Sequence, residues 1–112
     1  GEAEMDIKTL KEKLDLTLIC GDDLDRPVTG CYCGDLLSWV MSRAQEGDAW
    51  LTVMGNVNSI GVAVLADVAC IILTENAALD EDALKRAEQN GVIILTTAKN
   101  SYQVAAEISR LI

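Results

Sequence analysis

Apolar positions change their spacing several times along this chain, and each change marks an element. Ile7, Leu10 and Leu14 recur at helical intervals behind Asp6, with Lys8, Lys11, Glu12 and Lys13 off that stripe. That pattern predicts a short amphipathic helix capped by Asp6. Leu16 to Cys20 reads as a strand, which Gly21-Asp22-Asp23 stops with turn chemistry. Pro27 holds Arg26 extended, so residues 25–29 form a loop into an edge-like strand from Val28 to Cys33. Gly34-Asp35 ends that strand, and Asp35 is placed to cap a helix carrying Leu36, Leu37, Val40, Met41 and Ala44. The helix closes near Glu46-Gly47-Asp48, where Gly47 fits the left-handed C-terminal position.

The second half repeats the alternation. Ala49 to Met54 is a buried strand, Gly55-Asn56-Val57-Asn58 a turn, and Ser59 to Ala66 a helix apolar on nearly all sides. Val68 to Thr74 is a continuous apolar run, the signature of a strand covered on both faces. Asp80 caps the next helix, with Glu81 and Asp82 in the first turn, where the helix dipole favours negative charge, and Asn90-Gly91 ends it. Val92 to Thr97 is the last strand. Ser101 to Ile112 is the last helix, with Val104, Ala105, Ile108, Leu111 and Ile112 inward. Strands and helices alternating through short connections predict a single three-layer α/β domain over residues 5–112, a mostly parallel sheet of about five strands flanked by helices. Residues 1–4, ahead of Met5, read as an added tail outside the domain.

Composition sharpens this picture. The 112 residues suit one core, half of them are apolar, and with two Trp, two Tyr and no Phe that core is aliphatic. Eighteen acidic against nine basic side chains give a net charge of -9, so nucleic acid and anionic membrane are poor partners. The first ten residues carry no apolar signal-peptide core, and the run Ile60 to Leu73 is broken by Asp67, short of the roughly 18 residues a membrane span needs. A cytoplasmic protein is expected.

The candidate chemistry is narrow. No histidine occurs, which excludes Ser-His and Cys-His nucleophiles and histidine metal sites. Gly55 to Gly61 lacks the lysine of a phosphate-binding P-loop. No catalytic residue, resident cofactor or metal site is expected. Of the four cysteines, Cys70 belongs to an apolar strand and reads as core. Cys31 and Cys33, two apart on a strand, share one face, and Cys20 supplies a third thiolate if the strands adjoin. Structural free thiols are the simpler reading, a redox or metal role the alternative.

The densest stretch is Asp25 to Asp35. Arg26 offers a planar fork for a carboxylate or phosphate, with Thr29, Gly30 and nearby backbone N–H groups completing a cradle between Asp25 and Asp35. The bland alternative is an exposed Asp25–Arg26 pair in a turn. Gly55, Asn56 and Asn58 are the next candidates, with turn and cap roles as their alternative. Asn58-Ser59 and Asn100-Ser101 each follow a Leu-Thr strand end and precede an apolar helix. The echo is either reused capping chemistry or a sign that both helix N-termini open on one sheet edge as an anion or nucleotide-phosphate site. Trp39, on the helix after the motif, packs inward or meets another subunit.

At Asp25-Arg26-Pro27-Val28-Thr29-Gly30 the chain resembles the DRTGG domain family. So do Ile19-Cys20-Gly21, the helix start Gly34 to Ser38, Glu46 to Trp50, and the run Ala63 to Leu73. Asp25, Arg26, Thr29 and Gly30 match the letters of the family name in order, and Cys31 stands where the second glycine is expected. A Cβ there is at odds with a left-handed or closely approached backbone. The resemblance implies a regulatory, ligand-sensing, dimeric module without catalysis. Such domains look like the N-terminal domain of HPr kinase/phosphorylases, occur in phosphotransacetylases and CBS-domain pyrophosphatases, and stand alone near hydrogenase genes of anaerobic bacteria. An adenine nucleotide is the ligand implied by analogy. The reading is thus a homodimeric module binding a small anionic ligand near residues 25–34. One alternative is an interaction module of a hydrogenase or signalling system, and a second is a thiol or metal redox sensor using Cys31 and Cys33.

Overall fold

The computed structural model describes residues 5–112, so residues 1–4, taken above as a tail, lie outside the described residues. Ten elements follow in the order α1 (Ile7–Leu14), β1 (Thr17–Cys20), β2 (Gly30–Cys33), α2 (Leu37–Arg43), β3 (Asp48–Thr52), α3 (Val57–Ala66), β4 (Cys70–Leu73), α4 (Glu81–Asn90), β5 (Ile94–Thr96) and α5 (Ser101–Ser109). The five strands form one sheet in the order β1-β5-β4-β3-β2. β2 to β5 run parallel and step in one direction across it, while β1 joins antiparallel to β5. This is the three-layer, mostly parallel α/β architecture expected from the alternation.

Stepping in one direction places α2, α3 and α4 on the same face, because parallel crossovers share one hand. Their inner residues Val40, Ile60, Ala63, Ala83 and Ala87 close over Trp50, Ile71, Leu73 and Ile94. The opposite face is covered by α1 and α5, with Leu10, Val104 and Ile108 over Ala49, Leu51, Cys70, Ile72 and Leu95. β3 and β4 are buried along their whole length, as their unbroken apolar runs require.

Helix ends follow local chemistry. Asp6 accepts from the Thr9 amide at 2.8 Å and Asn56 from the Ser59 amide at 3.0 Å, while Asn100 and Gln103 form a reciprocal capping box. α1 and α3 both end in a left-handed aspartate, Asp15 (φ 56°) and Asp67 (φ 54°), in place of the usual glycine. Each of these C-termini is met by a cation from elsewhere in the chain. Lys99 Nζ donates to the Leu14 carbonyl at 3.1 Å and pairs with Glu107, and Arg26 does the same service for α3.

Five local expectations are corrected. Asp35 does not cap α2: its carboxylate is taken by the end of β3, and the cap position passes to Leu36, which has no side-chain bond. Gly47 is left-handed (φ 85°), but it turns the chain into β3 after α2 has closed at Ala44. Asn58 is not in a turn, because Asn56 captures the Ser59 amide and starts α3 earlier. Leu36, Met41 and Ile112 are exposed, α2 burying only Val40 and α5 ending at Ser109 before Ile112. Trp39 is not inward either: it is 51% exposed, with the Arg43 guanidinium 3.6 Å above its ring.

Candidate functional site

The eight sequence-derived site residues separate to opposite ends of the sheet. Asp25, Arg26, Thr29 and Gly30 lie at the amino end of β2, and Asp35, Gly55, Asn56 and Asn58 follow the carboxyl ends of β2 and β3. Four strand residues at about 3.3 Å each put roughly 13 Å between the two groups. They do not form one cradle.

At the amino end the motif is a brace. Residues 23–26 make a tight turn whose Leu24 and Arg26 carbonyls accept the Lys8 and Ile7 amides at the start of α1. The turn thereby satisfies helix donors that would otherwise lack partners. Asp25 is exposed in that turn. Arg26 reaches the far end of α3, donating from Nη2 to the Asp67 carbonyl at 2.7 Å and from Nη1 to its carboxylate at 3.1 Å. The same Asp67 carbonyl accepts the Gly47 amide at 3.0 Å, and the Gly47 carbonyl accepts the Thr29 amide at 3.0 Å. A Cβ on Gly47 would stand 2.6 Å from the Thr29 hydroxyl, and one on Gly30 would collide with the Asp48 carboxylate. Asp48 is buried and accepts the Gln45 amide at 2.8 Å. Arg26, Thr29 and Gly30 therefore tie the loop before β2 to the α2–β3 and α3–β4 turns. Cys31, in place of the second family glycine, sits in ordinary strand conformation without positive φ, so its Cβ costs the backbone nothing.

At the carboxyl end, Asp35 Oδ1 accepts the Thr52 hydroxyl at 2.7 Å and the Val53 amide at 3.0 Å. Thr52 is buried, so its hydroxyl needs a partner, and Asp35 supplies one across two parallel strands that end side by side. Gly55 is pressed against the Ala78 carbonyl, and its own carbonyl accepts the Asp80 amide at 2.8 Å. Asn58 is exposed on the first turn of α3. The N-termini of α3 and α5 do open at this end, as the Asn-Ser echo suggested, but on caps Asn56 and Asn100, and the buried Thr74 hydroxyl lies 2.9 Å from that of Ser101. Glu75 and Asn76, both left-handed (φ 57° and 55°), form the loop tip beside them, with Asp35, Asp80, Glu81 and Asp82 at the same end. That acidic rim disfavours an anion.

Sequence reasoning missed Asp67 and Asp48, which anchor the brace. The available signal was positional: an aspartate closing an apolar helix with no glycine nearby, and one opening a buried strand after Gly47.

The cysteines divide by face and edge. Cys20 lies on β1, at the opposite end of the strand order from β2, and donates to the Val92 carbonyl at 3.5 Å. It packs with the α2–α4 face and Cys31 with the other, so Cys20 is not the third thiolate, a correction to that expectation. Cys70 is buried, and burial pushes its thiol up to about 12. Cys31 and Cys33 do share one face of β2 and interact with each other. The contact lowers the exposed Cys33 to about 7, while Cys31, also more desolvated, is raised well above the usual thiol value. Among the described residues, no cluster of three or more His, Cys, Asp or Glu side chains is placed to hold a metal, and no helix is long and apolar enough to cross a membrane.

The sequence matches the family model of the DRTGG domain over residues 9–111. No curated protein sequence matches it. Among solved structures, the fold superposes with a TM-score of 0.74 on the CBS and DRTGG domains of the regulatory region of Clostridium perfringens pyrophosphatase, complexed with its activator diadenosine tetraphosphate. The sequences are 13% identical, and the superposition covers 93% of this chain and 46% of that one, so this chain spans about half the length of that region. At such identity the likeness is one of fold. With the family model running from α1 to the end of α5 on that shared fold, the chain belongs to the DRTGG domain family.

Proposed function

We propose that this protein is a non-catalytic regulatory module that works by association, pairing with a second copy of itself through the outer surface of α2 and α3. The observation that carries this reading is the partition of charge. The chain carries -9 overall, yet no acidic residue occurs from Leu36 to Gln45 or from Val57 to Ala66. These two helices pack side by side, and their outer surfaces expose Trp39, Met41, Val64 and Leu65, the last at 71%. Two acidic copies therefore approach here at low electrostatic cost, with apolar contact and the Trp39–Arg43 stack as anchors. The absence of histidine and the use of the motif for fold contacts support a module without turnover. A hydrogenase or signalling protein docking on the same face would be the heterotypic form of the reading.

The test is molar mass in solution by light scattering at about 10–100 μM, the range in which weak regulatory dimers populate. A dimer that becomes a monomer in Trp39→Glu and in Leu65→Glu, with unchanged circular dichroism, supports the reading. A wild-type monomer, or variants that stay dimeric, defeats it.

A second reading is favoured by one observation, the activator held by the similar pyrophosphatase region. In it, a small anionic ligand such as an adenine nucleotide competes with Asp67 for Arg26, beside a cleft of about 140 Å³ lined by Asp23, Arg26, Asp67, Asn90 and Gly91. Asp25, Thr29 and Gly30 adjoin Arg26 in the chain but do not line this cleft, and Asp35, Gly55, Asn56 and Asn58 stay at the far end of the sheet. Releasing Asp67 would loosen the end of α3, which couples the ligand to the association face. A thermal-shift series with AMP, ADP and ATP tests this: stabilisation lost in Arg26→Ala supports it, and a flat series removes it.

A further inference from the structure

The geometry of the β2 edge points to an additional site: we infer that Cys31 and Cys33 form a two-coordinate thiolate site for a soft monovalent metal ion of the copper(I) class. Strand alternation puts both side chains on the face shared with α5, where both thiols line the same groove. Both line an open groove of about 440 Å³ between β2 and the end of α5, whose other walls include Thr29, Gly30, Ala105 and Ile112. Cys33 is exposed, giving an ion a way in, whereas Cys31 is half-buried against the α1–α5 core and holds its sulfur in place.

The donor set selects the ion. No third thiolate is within reach: Cys70 is on the same face, but Ala49 separates it from Cys31 in the cross-strand row, at about 4.8 Å per strand. The groove wall offers apolar groups and hydroxyls in place of carboxylates, so zinc and hard cations find too few ligands. Soft thiolate pairs suit copper(I). A disulfide is the obvious competitor, and strand geometry opposes it. Residues i and i+2 have parallel Cβ vectors about 6.6 Å apart, beyond the roughly 3.5–4.5 Å a disulfide needs. At a bond length like the ~2.3 Å of zinc–thiolate, two sulfurs bridged by a metal sit up to about 4.6 Å apart, which side-chain rotation reaches without moving the strand. Binding is an exchange of protons for metal: each thiol gives up one proton, two sulfur–metal bonds form, and no electron is transferred.

The experiment uses the full chain under ascorbate, with copper(I) delivered from a bicinchoninate complex and the chelator's colour reporting transfer. One equivalent per chain is expected in wild type. Cys33→Ser and Cys31→Ser should each weaken binding by more than about 100-fold, the upper end of what loss of an outer-sphere partner alone costs a site. Cys20→Ser should match wild type. Because Cys33 is exposed on an edge strand, its serine variant is the decisive one, with circular dichroism confirming the fold. Undiminished binding in Cys33→Ser, loss of the equivalent in Cys20→Ser, or no transfer to wild type overturns the proposal.

Discussion

Removing Arg26 tests whether the family motif is a brace or a ligand grip. In Arg26→Ala the Asp67 carbonyl loses a charged donor at 2.7 Å, and the end of α3 loses the cation that meets its dipole. A hydrogen bond from a charged group contributes about 1.5–3 kcal/mol. The value belongs at the low end here, because the Arg26 side chain is 28% exposed and water can replace part of the bond. The ion pair to the 57% exposed Asp67 carboxylate adds no more than ~0.5 kcal/mol after screening. The expected loss is about 2 kcal/mol, or roughly 8 °C in Tm for a domain of this size, measured by urea and thermal denaturation without ligand. Arg26→Lys, which keeps the charge and loses the fork, should cost about half as much. Asp67→Asn, which keeps the carbonyl and tolerates the left-handed backbone, should cost less than ~0.5 kcal/mol. A loss under ~0.5 kcal/mol for Arg26→Ala would refute the brace and return Arg26 to ligand duty. An equal loss for Asp67→Asn would refute the assignment of the energy to the carbonyl.

Two further outcomes follow from local geometry. Gly55→Ala should destabilise by more than about 3 kcal/mol in urea, because its Cβ meets the Ala78 backbone, whereas Gly91→Ala, left-handed (φ 67°) but facing open space, should lose only ~1 kcal/mol, and comparable losses would contradict the packing. Alkylation of Cys33 should show a thiolate midpoint near 7, slow below it and fast above it. In Cys31→Ala that midpoint should rise, since the lost contact is what favours the Cys33 thiolate, and a profile unmoved by the substitution would deny the pairing.

The layer count, the parallel sheet and most element positions were legible because they follow from local pattern: unbroken apolar runs for β3 and β4, and the Asp6, Asn100 and Gly91 signals at helix ends. The candidate site was less legible. Sequence shows Asp25 to Gly30 as unusual, but the partners that explain it, Asp48 and Asp67, come from other turns and meet it only once β2 and β3 are paired. Asp35 shows the same limit. Its local position favours a helix cap, but a buried Thr52 hydroxyl, invisible in the sequence around Asp35, claims the carboxylate. Cys20 failed as a third ligand because strand order, set by crossover direction, is not written in residue spacing.

One layer of this fold is assembled from elements far apart in the sequence. α1 and α5 together cover Ala49, Leu51, Cys70 and Ile72, with Lys99 fastening the end of α1 to Glu107 on α5. During synthesis, β3 and β4 therefore leave the ribosome with one face lidded by α2, α3 and α4 and the other half bare until α5 emerges. At about 5–20 residues per second that interval lasts a few seconds. For that time the nascent chain presents an aliphatic sheet face of the kind that holdase chaperones grip, and shortening α5 would make the exposure permanent.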